Sequence, residues 1–274
     1  MKKFKIVGLL QLIIVLTSHW TLVLGQKLPK IQKASIRAPA DIKIDGNLSE
    51  WNNQFQAYNR GNYLYYTVSN DDANLYLTVH MEGIVGSRKI FRGGLTFTIV
   101  PSSKKANRLS VTFPAIPARK TNKMERLADG PLVYRILKSD TVANKAKIDS
   151  LIATCNTLMG KVYNQIQVKG IPGTNDTLIS IYNTQGIKAG ARADRRMKYC
   201  YELAVPLRYL GDAINNGEKF KYNIKLNIEP LPEVKTPKFS EPVAFGKPLG
   251  PGTASDQFLY NTTDFSGEYT LAKK

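Results

Sequence analysis

Residues 42–51 read Ile42-Lys43-Ile44-Asp45-Gly46-Asn47-Leu48-Ser49-Glu50-Trp51. The apolar residues at 42 and 44 predict a short strand. The Asp-Gly pair predicts a tight turn, because glycine reaches positive φ without a Cβ penalty. A tryptophan follows shortly after. Beyond it, Leu64, Tyr66 and Val68 alternate with Tyr63, Tyr65 and Thr67, and Asn70-Asp71-Asp72-Ala73-Asn74 carries turn chemistry. Leu75, Leu77 and Val79 then alternate with Tyr76, Thr78 and His80. This predicts a β-hairpin with one dry face and one more polar face.

The period of two returns at Leu95, Phe97 and Ile99, at Leu109, Val111 and Phe113, and most cleanly at Phe220, Tyr222, Ile224, Leu226 and Ile228. Gly267 to Leu271 reads as a closing strand. The expected fold class is all-β: a two-sheet antiparallel β-sandwich with one inserted amphipathic helix. That helix is read over 141–158, where Ile148, Leu151, Ile152, Cys155, Leu158 and Met159 recur at helical spacing and Gly160 supplies a stop. A shorter helix is read at Leu207–Leu210. Residues 26–41 read as an extended lead-in, 101–140 as a surface excursion and 229–252 as irregular loop.

Lys2, Lys3 and Lys5 precede an apolar run from Ile6 to Leu16, and small residues Val23 and Gly25 follow. This predicts a signal peptide over 1–25, cleaved before Gln26, and one sandwich domain over 26–274. No other apolar run is long enough to span a bilayer. The expected location is secreted or periplasmic. The chain carries 39 Lys+Arg against 21 Asp+Glu and stays strongly basic without the leader. A basic exported protein meets anionic glycans rather than nucleic acid. Export permits a Cys155–Cys200 disulfide, while the helical stripe around Cys155 favours a buried free thiol equally.

Catalytic chemistry is sparse. One histidine, His80, lies beyond the leader, and its strand position favours a residue facing solvent or a polar loop over a general base. No glycine-rich phosphate loop and no zinc spacing occur. Among Asp45, Glu50, Asp71, Asp72 and Glu202, no pair has a spacing that forces the two carboxylates together as a glycosidase requires. Asn70, Asp71, Asp72 and Asn74 offer oxygens of the calcium-binding type, but their spacing matches no known calcium loop and turn formation accounts for them. The reading is therefore non-enzymatic, with no cofactor, and a glycosidase that joins carboxylates distant in sequence ranks last among the alternatives.

Sugar rings present an apolar C–H face that packs on aromatic rings, while their hydroxyls seek amides and charges. Trp51 reads as a core anchor, so Tyr58, Tyr63 and Tyr65 are the aromatic candidates, with Tyr63 and Tyr65 placed on one strand face. Arg192, Arg195 and Arg196, with Lys198, form one basic cluster; Arg119, Lys120, Lys123 and Arg126 form another. Arginine forks match carboxylate and sulfate oxygens, which suits an acidic polysaccharide.

Ile44-Asp45-Gly46 through Trp51, Val68-Ser69-Asn70-Asp71 to Asn74-Leu75-Tyr76-Leu77, Tyr201-Glu202-Leu203-Ala204-Val205-Pro206-Leu207, and the terminal Thr263-Asp264-Phe265 and Tyr269-Thr270-Leu271 occur in an order that resembles family 9 carbohydrate-binding modules. The resemblance extends to the related DOMON-like sandwiches and spans most of the chain, apart from about 101–190. It implies a module that binds sugars without cleaving them, accessory to glycan breakdown or capture. It also implies that Trp51 matches the family's structural tryptophan, leaving no counterpart to the pair of tryptophans that grips a sugar end in the best-understood members. Two rival readings stand beside this one. One is an envelope interaction protein that holds anionic polymer on a basic face. The other is a haem-binding module using Met and His, although His80 and Met81 are neighbours on a strand and point to opposite faces.

Overall fold

A computed structural model describes residues 27–52, 54–102, 108–115, 144–172, 177–228, 258 and 261–274. The leader, the Arg119–Arg126 cluster and the loop read at 229–252 lie outside the described residues, as does most of the excursion read at 101–140.

The alternating segments form two antiparallel sheets. One runs in the order β1-β2-β3-β9-β8, with β1 at Ala57–Asn59, β2 at Leu64–Asn70, β3 at Asn74–Met81, β8 at Lys188–Ala193 and β9 at Tyr199–Pro206. The other runs β11-β10-β4-β5-β6-β7, with β4 at Leu95–Val100, β5 at Leu109–Phe113, β6 at Gln165–Lys169, β7 at Leu178–Ser180, β10 at Phe220–Leu226 and β11 at Thr263–Tyr269. Leu64, Tyr66, Val68, Leu77, Val79, Tyr201 and Leu203 from the first sheet meet Phe97, Ile99, Val111, Phe113, Tyr222 and Ile224 from the second in one buried cluster. This is the predicted β-sandwich, and the dry faces are those the period of two selects. The Tyr66 and Tyr222 hydroxyls meet across the core at 3.0 Å.

Among the described residues, three α-helices accompany the sheets. The predicted amphipathic helix is α2, Lys145–Val162, which buries Ile148, Cys155 and Met159 and runs on through Gly160. The short helix read at 207–210 is a 3-10 turn over Leu207–Tyr209, followed by α3 at Asp212–Asn215. The sequence reading passed over α1, Gly83–Gly93, whose glycines give it little intrinsic helix preference. It also passed over β6, β7 and β8. The closing strand begins earlier than read, at Thr263, and pairs with β10 from Tyr269↔Phe220 to Thr263↔Leu226. Cys155 and Cys200 are both buried free thiols.

Residues 27–52 are a strap rather than a strand. The segment Ile42–Ile44 has no sheet partner; its alternation reflects packing over the outer face of the five-stranded sheet. Upstream, the Gln32 side chain accepts from Val68 N at 2.7 Å and donates to Val68 O at 2.7 Å. Ala38 N donates to Asn70 O and Asn70 N to Ile36 O. The strap thereby closes the length of β2 edge that the three-residue β1 leaves open.

On α1, Lys89 is buried; it donates to Thr263 Oγ1 at 2.8 Å, and its ammonium lies 4.1 Å from the Phe258 ring centroid. Burial pushes this amine down to about 8. The unfolded chain, with an ordinary lysine value near 10.4, therefore binds the proton more tightly than the fold does. The resulting penalty is full below about pH 8 and is relieved as pH rises towards 10. The buried thiols and phenols have raised values and act with the opposite sign at alkaline pH, so the comparison must be between variants. The stability difference between wild type and Lys89→Met should move by about 2–3 kcal/mol in favour of the wild type from about pH 7 to about pH 10, read by urea unfolding.

Candidate functional site

The Asp45–Trp51 end of the strap is fixed by one carboxylate. Glu202, on the outward face of β9, is fully buried. Its Oε2 accepts from Asp45 N at 3.2 Å and Gly46 N at 3.0 Å, and its Oε1 accepts from Trp51 Nε1 at 3.2 Å. The Asp-Gly turn, the tryptophan and the Tyr201–Leu207 motif thus form a single hydrogen-bonded unit. Burial pushes the Glu202 carboxyl up to about 7, against the opposing pull of the three N–H donors. Gly46 has φ +78°, and Asp45 Oδ1 accepts from Asn47 N at 2.7 Å. The turn lies directly on β8: a Cβ on Gly46 would fall 2.6 Å from the Ala191 carbonyl carbon, and one on Gly190 would fall 2.8 Å from Asp45 Cα. Trp51 is the core anchor the sequence suggested, packed with Leu48, Phe55 and Cys200.

The turn after β2 is also built from its own side chains. Asp71 Oδ1 accepts from Ala73 N and Asn74 N, its Oδ2 accepts from Tyr76 Oη at 2.5 Å, and Asp72 pairs with Arg37 and Lys274.

Beside Glu202 on the same outer face, register places five residues in one row across all five strands. Tyr58 lies opposite Tyr65, Tyr65 opposite His80, His80 opposite Cys200, and Cys200 opposite Arg192. The Tyr58 and Tyr65 rings stack at 4.4 Å, while Phe55 stacks on His80 at 5.9 Å and leans on Tyr65 at the same distance. Tyr65 is therefore held between rings and forms part of a wall rather than a free platform. Tyr63 is not in this row. It precedes β2 with φ +53°, which breaks the alternation, and it meets Phe258 edge-on at 5.1 Å with 44% of its surface exposed. Met81 is buried in the core while His80 faces outward.

At the β8 end the row opens into a cleft of about 500 Å³, whose walls include Asn47, Ser49, Asn52, His80, Arg192 and Arg195. A second depression of about 640 Å³ continues it under α2 and shares Ile152, Asn156, Arg192 and Arg195. Asn156 holds the helix to the sheet: its Oδ1 accepts from Ala193 N at 2.7 Å and its Nδ2 donates to Ala193 O at 3.1 Å. Arg195 Nε reaches Asp149 Oδ1 at 3.4 Å. Arg192, Arg195 and Arg196 are all exposed, and only the first two line these depressions.

His80 Nε2 lies 3.0 Å from Asp194 Oδ2, and Asp194 Oδ1 accepts from Arg196 N and Lys198 N, each at 2.8 Å. Burial would raise the Asp194 carboxyl, but the hydrogen bonds from His80, Lys198 and Arg196 outweigh it and hold the group below its ordinary value. Burial, with the Asp194 and Glu202 charges next in size, pushes the Cys200 thiol up to about 12. The partners of His80 are the part of the site that sequence reading missed. The alternation of His80 was visible, but the pairing of β3 with β9 that sets Cys200 opposite it was not.

A larger groove of about 660 Å³ runs over the outer face of the six-stranded sheet. Hydroxyl pairs Thr96–Thr112 at 2.6 Å and Thr98–Ser110 at 2.9 Å form its floor. Its lining among the described residues contains no aromatic ring and no arginine. The cleft beside Arg192 has both at hand. Among the described residues, no helix is long and apolar enough to cross a membrane. Comparison with models of known families, with curated proteins and with solved structures gives no match for this chain.

Proposed function

We propose that this protein is an exported sandwich that binds carbohydrate without cleaving it, and that its ligand is an acidic saccharide seated in the cleft between the Asp45–Asn52 turn and β8. The supporting observation is the convergence of Arg192 and Arg195 with amide and hydroxyl groups of Asn47, Ser49 and Asn52 at the end of an aromatic row. A cleft of about 500 Å³ lies within the size range of small-ligand sites. The arginine forks suit a uronate carboxylate, and the short polar side chains suit ring hydroxyls. The resemblance to family 9 modules points the same way. A nucleophilic role for Cys200 fits poorly, since reactive thiols have depressed values in electropositive, accessible surroundings, whereas burial and two nearby carboxylates push this one up.

Calorimetry against panels of acidic and neutral oligosaccharides tests the reading. Acidic oligomers should bind, and Arg192→Ala should weaken binding by about 10-fold or more, the scale of one charge-assisted hydrogen bond of roughly 1.5–3 kcal/mol. Arg195→Ala should act similarly, and Arg196→Ala should change little. Binding to neither panel would remove the proposal. Affinity that falls steeply with salt, and equally for all three arginine variants, would favour the rival reading of a diffuse basic face.

A further inference from the structure

We propose that His80, Asp194 and Cys200 form a binding site for a borderline transition-metal dication of the zinc class, with an open coordination position facing the cleft. One ligand atom from each residue lies within 4.8 Å of the other two. Tetrahedral zinc, with bonds of about 2.0–2.3 Å, sets its donors roughly 3.3–3.8 Å apart. The three side chains therefore need only small rotations to close on one ion.

The scaffold that carries them is rigid. His80 and Cys200 are directly paired residues of two adjacent strands, both inside the five-stranded sheet. Asp194 follows β8 in a tight turn closed by Asp194 N to Lys198 O and Met197 N to Asp194 O. Its Oδ1 is occupied by two backbone N–H groups, which fixes the carboxylate and leaves Oδ2 directed at His80. Supported carboxylates and oriented imidazoles are the usual outer framework of a metal centre. Phe55, stacked on the His80 ring, restrains that ring's plane.

The donor set decides the class of ion. Nitrogen, oxygen and sulfur together select zinc-like metals and reject calcium and magnesium, which take oxygen alone. The same three residue types also make a thiol–imidazole–carboxylate triad. Cys200, however, is only 6% exposed and lies beside Asp194 and Glu202. A dication suits that negative surrounding, whereas a thiolate nucleophile does not. His80 and Cys200 both line the cleft, so the fourth position faces a space that water or a ligand oxygen can enter. Metal uptake would release the Cys200 proton as the thiolate–metal bond forms. None of this depends on the saccharide proposal, and the test uses no sugar.

The reduced full-length protein is titrated with Co²⁺ as a spectroscopic stand-in and then back-titrated with Zn²⁺. The expected result is one metal per chain, a thiolate-to-cobalt charge-transfer band in the near ultraviolet and the intense visible bands of a tetrahedral centre, all abolished by Zn²⁺. Cys200→Ser should remove the charge-transfer band, His80→Ala and Asp194→Asn should weaken binding by at least about 10-fold, and Cys155→Ser should change nothing. X-ray absorption at the zinc edge of the wild type, which needs no variant to fold, should report one sulfur among nitrogen and oxygen neighbours. Absence of stoichiometric binding, a band that survives Cys200→Ser, or a zinc shell without sulfur would overturn the assignment.

Discussion

Glu202→Ala is expected to destabilise the fold by about 3–5 kcal/mol, measured by chemical denaturation at neutral pH. The magnitude follows from what the carboxylate holds. Asp45 N, Gly46 N and Trp51 Nε1 all donate to it, and the last two bonds are buried. A buried donor stripped of its acceptor costs roughly 1–3 kcal/mol, and truncation also opens space beneath the strap. Glu202→Gln keeps one oxygen but turns an NH₂ group towards N–H donors, so it should cost about half as much. The strap would lose its anchor before the sandwich core does, because the buried cluster between the sheets contains none of these groups. The variant should therefore show a lower unfolding midpoint with its far-ultraviolet β signal intact. A loss under about 1 kcal/mol would mean that strap packing, rather than this carboxylate, fixes residues 45–51.

Gly46→Ala and Gly190→Ala should each cost about 2–4 kcal/mol, for reasons that differ. At Gly46 the φ of +78° is strained for any side chain, and the added carbon would meet Ala191 Cα at 2.7 Å. At Gly190 the obstacle is the backbone of Asp45 and Gly46, each 2.8 Å away. Backbone on both sides leaves nothing flexible to yield, so the turn must lift from β8. One lift relieves both clashes. The double variant should thus cost less than the sum of the singles, a coupling of at least about 0.5 kcal/mol in a double-mutant cycle. Additive losses would show that the turn and β8 do not share this contact.

These two predictions rest on a contact that the sequence concealed. Residues 188–193 read Lys-Ala-Gly-Ala-Arg-Ala, with no bulky apolar residue to mark a strand. The small side chains are there because the Asp45–Gly46 turn presses on them. The run at β10 was legible because it buries one face only, so polarity alternates. The hairpin of β2 and β3 was legible because its residue types alternate, although Thr67, Ser69 and Thr78 on its outer face are buried as well. Ile42–Ile44 alternates for a different reason, packing over a sheet rather than within it.

The candidate site was legible in pieces. Tyr58, Tyr65 and Arg192 were singled out as residue types, but their alignment through His80 and Cys200 needs four successive strand pairings, one of them bringing residue 80 to residue 200. Periodicity fixes which face a residue takes and says nothing about register between distant strands. Asp194 sits in a turn that no periodicity marks; its Oδ1 accepts from the local Arg196 and Lys198 N–H groups, while its Oδ2 reaches His80 on a distant strand.

On the proposed function, the cleft beside Arg192 receives an acidic saccharide. A titration of isotope-labelled protein with an acidic oligosaccharide, followed by amide NMR shifts, tests it directly. Saturable shifts are expected at Asn47, Ser49, Arg192 and Arg195, with the strands carrying Thr96 and Thr112 unmoved. Shifts centred on that hydroxyl-lined face, or none at saturating sugar, would contradict it.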